Sequence, residues 1–140
     1  NEIHIWWGGL QANGGMMLLL AYLITADRRW RGAKVKVLTI VHSEDDRLVA
    51  EAGLGRVLAS ARSKAEPVVL LSEGTSVTDL MARYSQNADL AILGLRLPSK
   101  EDDAKLLYDH YSSLLTSLPS AVLVHSGGAF KAAPVLFDND

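Results

Sequence analysis

The loop Gly8-Gly9-Leu10-Gln11-Ala12-Asn13-Gly14-Gly15 comes nearest to a ligand-binding motif in this sequence. It joins a predicted strand to a predicted helix, and the free N–H groups of a helix N-terminus favour a phosphate. Gly9 and Gly14 have the separation of a phosphate loop, but Gly15 and Met16 stand where that motif needs Lys and Ser or Thr. A tight turn with close packing of strand against helix is therefore favoured over a phosphate site.

Other residue types that carry chemistry do not form a recognisable set. The four histidines have no metal-ligand spacing, no G-x-S-x-G motif is present, and the chain has no cysteine. The acidic runs Glu44-Asp45-Asp46 and Glu101-Asp102-Asp103 start predicted helices, where carboxylates stabilise the helix dipole, so metal binding is disfavoured. We therefore predict a protein that is not an enzyme and that holds no metal or cofactor.

Composition limits the remaining function classes. The chain has 140 residues, 49% of them hydrophobic, and a net charge of −2, which argues against a nucleic-acid partner. One α/β domain over 1–140 is expected. The longest apolar stretch, Met16–Ile24, is too short to cross a bilayer, so we expect a soluble chain. Because the first residue is Asn1 rather than Met, we expect it to be part of a larger protein.

Five short apolar segments alternate with helical ones. This pattern predicts a three-layer α/β sandwich around a mostly parallel five-stranded sheet. The predicted strands are Glu2–Trp7, Lys34–His42, Pro67–Ser72, Asp89–Leu95 and Ala121–His125. Three helices have a predicted start in which a serine stands three residues before a carboxylate, at Ser43, Ser76 and Ser99. The last helix places Leu107, Tyr111, Leu114, Leu115 and Leu118 on one apolar face and ends at Pro119.

The first helix has no polar face between Met16 and Ile24. A helix that is apolar all round should be buried all round, yet an outer helix of a sandwich has one face on the sheet. Two alternatives stay open: the helix is enclosed by its neighbours, or it forms an interface. Arg28, Arg29 and Arg31 are expected at its C-terminus, with Gly32 ending it, although this basic cluster could also face phospholipid or an acidic partner.

The opening segment contains three characteristic groups of residues in order: Ile5-Trp6-Trp7, Gly14-Gly15-Met16-Met17-Leu18-Leu19-Leu20 and Trp30-Arg31. This order resembles cation-chloride cotransporters, in which a strand ending in two tryptophans leads to Gly-Gly, a leucine-rich helix, and a tryptophan followed by a base. The order continues with strands similar to those of the family at Lys34–Val41, Asp89–Pro98 and Ala121–Gly128.

The resemblance implies the distal half of the cytosolic C-terminal regulatory domain of such a transporter, with a fold similar to universal stress proteins. It further implies a place on the cytoplasmic side of the cell membrane, within an integral membrane protein. The implied partners are a second copy, the remainder of the cytosolic region and the transmembrane domain. On this interpretation the interface residues are Met16, Leu19, Leu20, Leu23 and Trp30.

Nucleotide binding is the alternative, because universal-stress-like folds can bind ATP through a glycine motif after the fourth strand. That motif is broken here, since Leu97 stands where its second glycine would fall after Gly94. The backbone positions most able to approach a nucleotide are Gly8, Gly9, Gly94, Gly127 and Gly128.

Overall fold

The computed structural model describes residues 1–8, 13–95 and 101–126. Its strands are β1 (Glu2–Trp6), β2 (Lys34–Val41), β3 (Glu66–Leu71), β4 (Leu90–Gly94) and β5 (Ala121–Val124). Its helices are α1 (Gly14–Ala26), α2 (Glu44–Ser60), α3 (Val77–Ser85) and α4 (Glu101–Ser117). A 3-10 turn at Arg28–Trp30 follows α1. All five predicted strands are confirmed, each end to within one residue.

The strands form one sheet in the order β3-β2-β1-β4-β5, and every neighbouring pair is parallel. Ile5 of the central strand β1 lies opposite Val37 on one side and Ile92 on the other. The chain adds strands outward from β1 to β3 and then returns across β1 to place β4 and β5. The strand order therefore reverses between β1 and β4.

Helices cover both sides of this sheet. Ile3, Ile5 and Val37 pack with α1 and α2 on one side, while Trp6, Leu38 and Leu93 pack with α3 and α4 on the other. Both faces of the central strands are therefore buried, which explains why their sequences are continuously apolar. The predicted three-layer α/β sandwich is confirmed.

Serine caps begin two of the helices as predicted. The Ser43 hydroxyl accepts a hydrogen bond from the Asp46 amide at 3.1 Å, and the Ser76 hydroxyl accepts one from the Asp79 amide at 3.2 Å. Each such cap stabilises its helix by about 1 kcal/mol. The third predicted cap, Ser99, lies outside the described residues.

The predicted placement of the basic cluster was wrong. Helix α1 ends at Ala26 because Asp27 is extended and its carboxylate accepts hydrogen bonds from the Arg29 amide at 2.9 Å and from Arg29 Nε at 3.1 Å. Arg28 and Arg29 therefore lie in the separate 3-10 turn, with Arg31 just after it. Gly32, at φ +82°, follows this turn rather than ending α1.

One position of the predicted apolar face of α4 was also wrong. Leu114 and Leu118 are buried, and Leu107 and Tyr111 are half-buried, but Leu115 is exposed. Leu115 follows Leu114 by one residue, about 100° around the helix, and so turns away from the sheet. The helix ends at Ser117, two residues before Pro119.

Candidate functional site

A cavity of about 350 Å³ opens where β1, β2 and β4 end. Its lining is largely apolar and aromatic and includes Trp7, Gly8, Ile40, Met81, Gly94 and Tyr111. The cavity lies where the strand order reverses, the position at which open α/β sheets bind ligands beyond the carboxyl ends of their strands. The Tyr111 hydroxyl donates a hydrogen bond to the Gly94 carbonyl at 3.1 Å. The residues that line this cavity are therefore suited to contact a flat, uncharged part of a ligand.

Gly14 begins α1 in direct contact with the Trp7 indole. A Cβ on Gly14 would lie 2.6 Å from Trp7 Cζ2 and 2.8 Å from Trp7 Cζ3, distances that real side chains do not show. The glycine is therefore needed for the ring to pack against the start of the helix. At Gly14, this contact agrees with the predicted close packing of strand against helix.

Asn13 ties the start of α1 to the ends of two strands. This buried side chain donates from Nδ2 to the Leu95 carbonyl at 3.3 Å, and its Oδ1 accepts from the Ser126 amide at 2.9 Å. It makes no side-chain cap of its own helix. Asn13 thus connects α1 to the chain leaving β4 and β5, a role that needs the folded sheet and has no signal in local sequence.

The structure brings together two of the five glycines proposed for nucleotide contact. Gly8 and Gly94 line the same cavity, and Gly8 has open space where a side chain would project. A Cβ on Gly94 would lie 3.1 Å from Asn13 Nδ2, so this position favours glycine for packing reasons as well. The other three, Gly9, Gly127 and Gly128, lie outside the described residues.

A buried polar network on the side of the sheet covered by α3 and α4 was not predicted from the sequence. His4 Nδ1 lies 2.8 Å from Ser85 Oγ, His4 Nε2 lies 2.7 Å from Glu2 Oε1, and Trp6 Nε1 donates to Ser85 Oγ at 2.9 Å. A neutral His4 with its proton on Nε2 satisfies every one of these contacts. The hydrogen bond from His4, assisted by Lys36 at 3.1 Å, lowers the pKa of Glu2.

The order Glu2, His4 and Ser85 resembles the arrangement that activates a serine nucleophile. Ser85 is 0% exposed, however, and its hydroxyl is already occupied by the Trp6 indole. A nucleophile must reach a substrate carbon, and this one is enclosed in the protein core. We therefore interpret the network as a structural link between β1 and α3.

Helix α1 is only partly covered by the rest of the fold. Met17, Leu18 and Ala21 are buried against the sheet, whereas Tyr22 is 67% and Leu23 is 55% exposed. The five proposed interface residues divide accordingly. Met16, Leu20 and Trp30 pack at the margin of the core, Leu19 is half-buried, and Leu23 faces outward.

The sheet is also unevenly covered on the side of α1 and α2. Helix α1 packs on β1 and β4, and α2 packs on β2 and β3. Val124 of the outermost strand β5 belongs to the core on this side, but Val122, two residues earlier, is 38% exposed. Side chains two residues apart lie on the same face of a strand, so apolar surface on β5 adds to that on α1.

The family model for solute carrier family 12 matches residues 1–78. This match spans more than half of the chain. The chain belongs to solute carrier family 12. Its members are membrane transporters, and the cation-chloride cotransporter resemblance is thereby confirmed.

The matched residues of this solute carrier family 12 chain include both the carboxyl end of β1 and all of α1. The same segment carries Trp7, Gly14 and the exposed Tyr22 and Leu23 of α1. No helix among the described residues has the length and apolar character needed to cross a membrane. Within those residues, no cluster of histidine and acidic side chains has a geometry suited to a metal ion.

Proposed function

We propose that this chain is a cytosolic regulatory and dimerisation domain of a cation-chloride cotransporter. It acts as a single α/β domain within a larger cytosolic region, on the cytoplasmic side of the membrane. The observation that carries the proposal is the exposed apolar surface of α1. Membership in a transporter family supplies the context, because it favours a role in assembly or regulation over catalysis.

The surface around Leu23 is suited to association. Its neighbours in sequence are apolar from Met16 to Ile24, so no polar residue of this stretch offsets the exposure of Leu23 and Tyr22. In a symmetric dimer every such side chain is buried twice, once from each protomer. Burial of one leucine contributes about 1.5–3 kcal/mol. A second copy of this surface is the proposed partner, together with the remaining cytosolic region and the transmembrane domain.

The test is a single charge placed on the outer surface of α1. Leu23→Glu should weaken self-association of the 140-residue chain by about 100-fold, because both copies would bury an unpaired carboxylate. Sedimentation equilibrium over a concentration series measures this. Leu106→Glu is the matched control, since Leu106 is 70% exposed on α4, in the opposite layer. A monomeric parent chain, or equal weakening by both variants, would contradict a dimer through α1.

A nucleotide site at the carboxyl ends of the strands is the second candidate. It is favoured by the cavity that Gly8 and Gly94 share, whose volume and aromatic lining suit a purine ring. Calorimetry with ATP and ADP tests it. Micromolar binding that Gly8→Leu abolishes would support a sensing role, because the new side chain has space to occupy the cavity mouth. No heat at millimolar nucleotide would eliminate it.

A further inference from the structure

A second recess, the amino-edge groove, lies where β2 and β3 begin, at the opposite end of the strands from the cavity. It is bounded by α1 and by the turn between α2 and β3, and its volume is about 1000 Å³. Val35 is half-buried and Tyr22 is exposed, so these two side chains contribute apolar surface to it, whereas Leu18 and Ala21 are buried beneath its floor. Three further small side chains line it: Ala33, Ala61 and Ala65.

The lining of the amino-edge groove is positively charged. Lys34, Arg62 and Lys64 contribute three cations, against the one carboxylate of Glu66. Lys36 lies opposite Glu66 in the sheet, so Lys34 and Lys64, each two residues earlier, share the same edge. Neither lysine makes an ion pair within the part of the chain that the structure describes. Both ammonium groups are therefore available to a ligand.

Arg62 occupies a backbone conformation that usually selects glycine. It follows α2 at φ +52°, where the Arg62 amide bonds to the Ala59 carbonyl at 3.0 Å and the Ser63 amide to the Leu58 carbonyl at 2.9 Å. Glycine predominates at this position of a helix end because it has no Cβ. The chain thus places a cation, at a cost in backbone energy, on the turn that borders the groove.

We propose that the amino-edge groove binds an acidic amphipathic helix of a partner protein. The alanines allow the backbone of a helix to approach closely, while the apolar stripe of that helix would contact Tyr22 and Val35. Its flanking carboxylates would meet Lys34 and Lys64.

The shape and charge of the groove favour a peptide over a membrane surface. A bilayer presents a flat, uniformly anionic face, whereas this site is concave and contains Glu66. Glu66 repels a uniform array of anions but can pair with one basic residue at a defined position of a helix. The same charge therefore weakens membrane binding and orients a peptide.

The experiment uses a fluorescent helical peptide of about 18 residues with leucines at helical spacing and glutamates on both flanks. We expect fluorescence anisotropy to show saturable binding to the 140-residue chain that weakens with added salt. Lys34→Glu with Lys64→Glu should reduce the affinity at least about tenfold. Lys105→Glu with Arg83→Glu is the matched control, since it reverses two exposed cations on α4 and α3 and should leave the affinity unchanged.

Three further measurements separate this proposal from its alternatives. A peptide with lysine in place of every glutamate should not bind, and equal binding would overturn the role of charge. Vesicles containing phosphatidylserine should not compete; binding to vesicles alone would indicate a membrane site instead. Tyr22→Ala should weaken the peptide complex while Leu23→Glu leaves it intact, so that loss with Leu23→Glu would place the peptide on the outer surface of α1.

Discussion

Helices α1 and α4 pack on opposite sides of the same sheet, but their apolar residues are distributed differently. In α4 the buried leucines, Leu114 and Leu118, are four residues apart, and the exposed surface mixes polar side chains with Leu106, Tyr108 and Leu115. In α1 the stretch from Met16 to Ile24 is apolar throughout, although only Met17, Leu18 and Ala21 are buried within it. The fold therefore needs one face of each helix, and both helices expose apolar side chains beyond that need, but only in α1 is the apolar stretch uninterrupted.

This difference separates the apolar side chains that stabilise the domain from those that are exposed and can bind a partner. A side chain that is buried in the monomer contributes to folding whatever its partners do. An exposed leucine contributes almost nothing to the stability of the monomer and much to an interface that covers it. Comparing matched buried and exposed leucines on the two helices therefore tests whether α1 is an interface or a core helix.

The largest expected effect is the loss of a buried leucine. Leu18→Ala in α1 and Leu114→Ala in α4 should each lower the free energy of unfolding by about 2–5 kcal/mol, because both side chains are 4% exposed and each truncation leaves a cavity. Leu23→Ala and Leu106→Ala should each change it by less than about 0.5 kcal/mol. Urea unfolding at low protein concentration measures all four. A loss above 2 kcal/mol for Leu23→Ala would mean that the monomer itself covers this side chain.

A smaller effect is expected from two helical glycines. Gly14→Ala should destabilise the protein by about 1–3 kcal/mol, since the new methyl group meets the Trp7 ring. Gly55→Ala in α2 meets nothing within 4 Å and should stabilise the protein by about 0.5–1 kcal/mol through helix propensity. Thermal unfolding of both variants tests whether their changes in stability have opposite signs. A neutral Gly14→Ala would show that Trp7 can move away without cost.

Local sequence predicted the strands and the two described serine caps because those signals lie within a few residues of one another. It failed at Asp27, which was not recognised as a cap, so the arginines were assigned to the wrong element. The link between His4 and Ser85 spans 81 residues and depends on how β1 meets α3. Nothing near either residue could indicate it. The functional interpretation of α1 likewise required knowing which of its faces the sheet covers.

The resemblance and the fold contributed different information. Paired tryptophans followed by Gly-Gly pointed to the family from residue types alone, and the family match covers that segment. The structure then supplied a physical reason for one of those glycines, because Gly14 gives Trp7 its space. It also located Gly8 and Gly94 in a single cavity, although they are 86 residues apart in the sequence.

The smallest expected effect is a pH dependence of folding stability, which arises on only one of the two faces of β1. Ile3 and Ile5 point into the apolar core under α1, whereas His4 and Trp6 belong to the polar network on the other side. Glu2 joins this network, and its pKa is lowered in the folded protein by His4 and Lys36. Its contribution to stability is therefore fully present above its unfolded pKa, near 4.5, and is lost as the pH falls through the lower folded value.

Glu2→Gln isolates this contribution from that of the other carboxylates. Glutamine keeps an oxygen for His4 Nε2 but cannot carry the charge that Lys36 attracts. The variant should be less stable than the parent at pH 6, and the difference should shrink as the pH is lowered from 5 to 3. Urea unfolding across that pH range measures the difference in the free energy of unfolding between the variant and the parent. If this difference does not change with pH, the charge of Glu2 contributes no stability, and the network on this face of β1 acts through neutral hydrogen bonds alone.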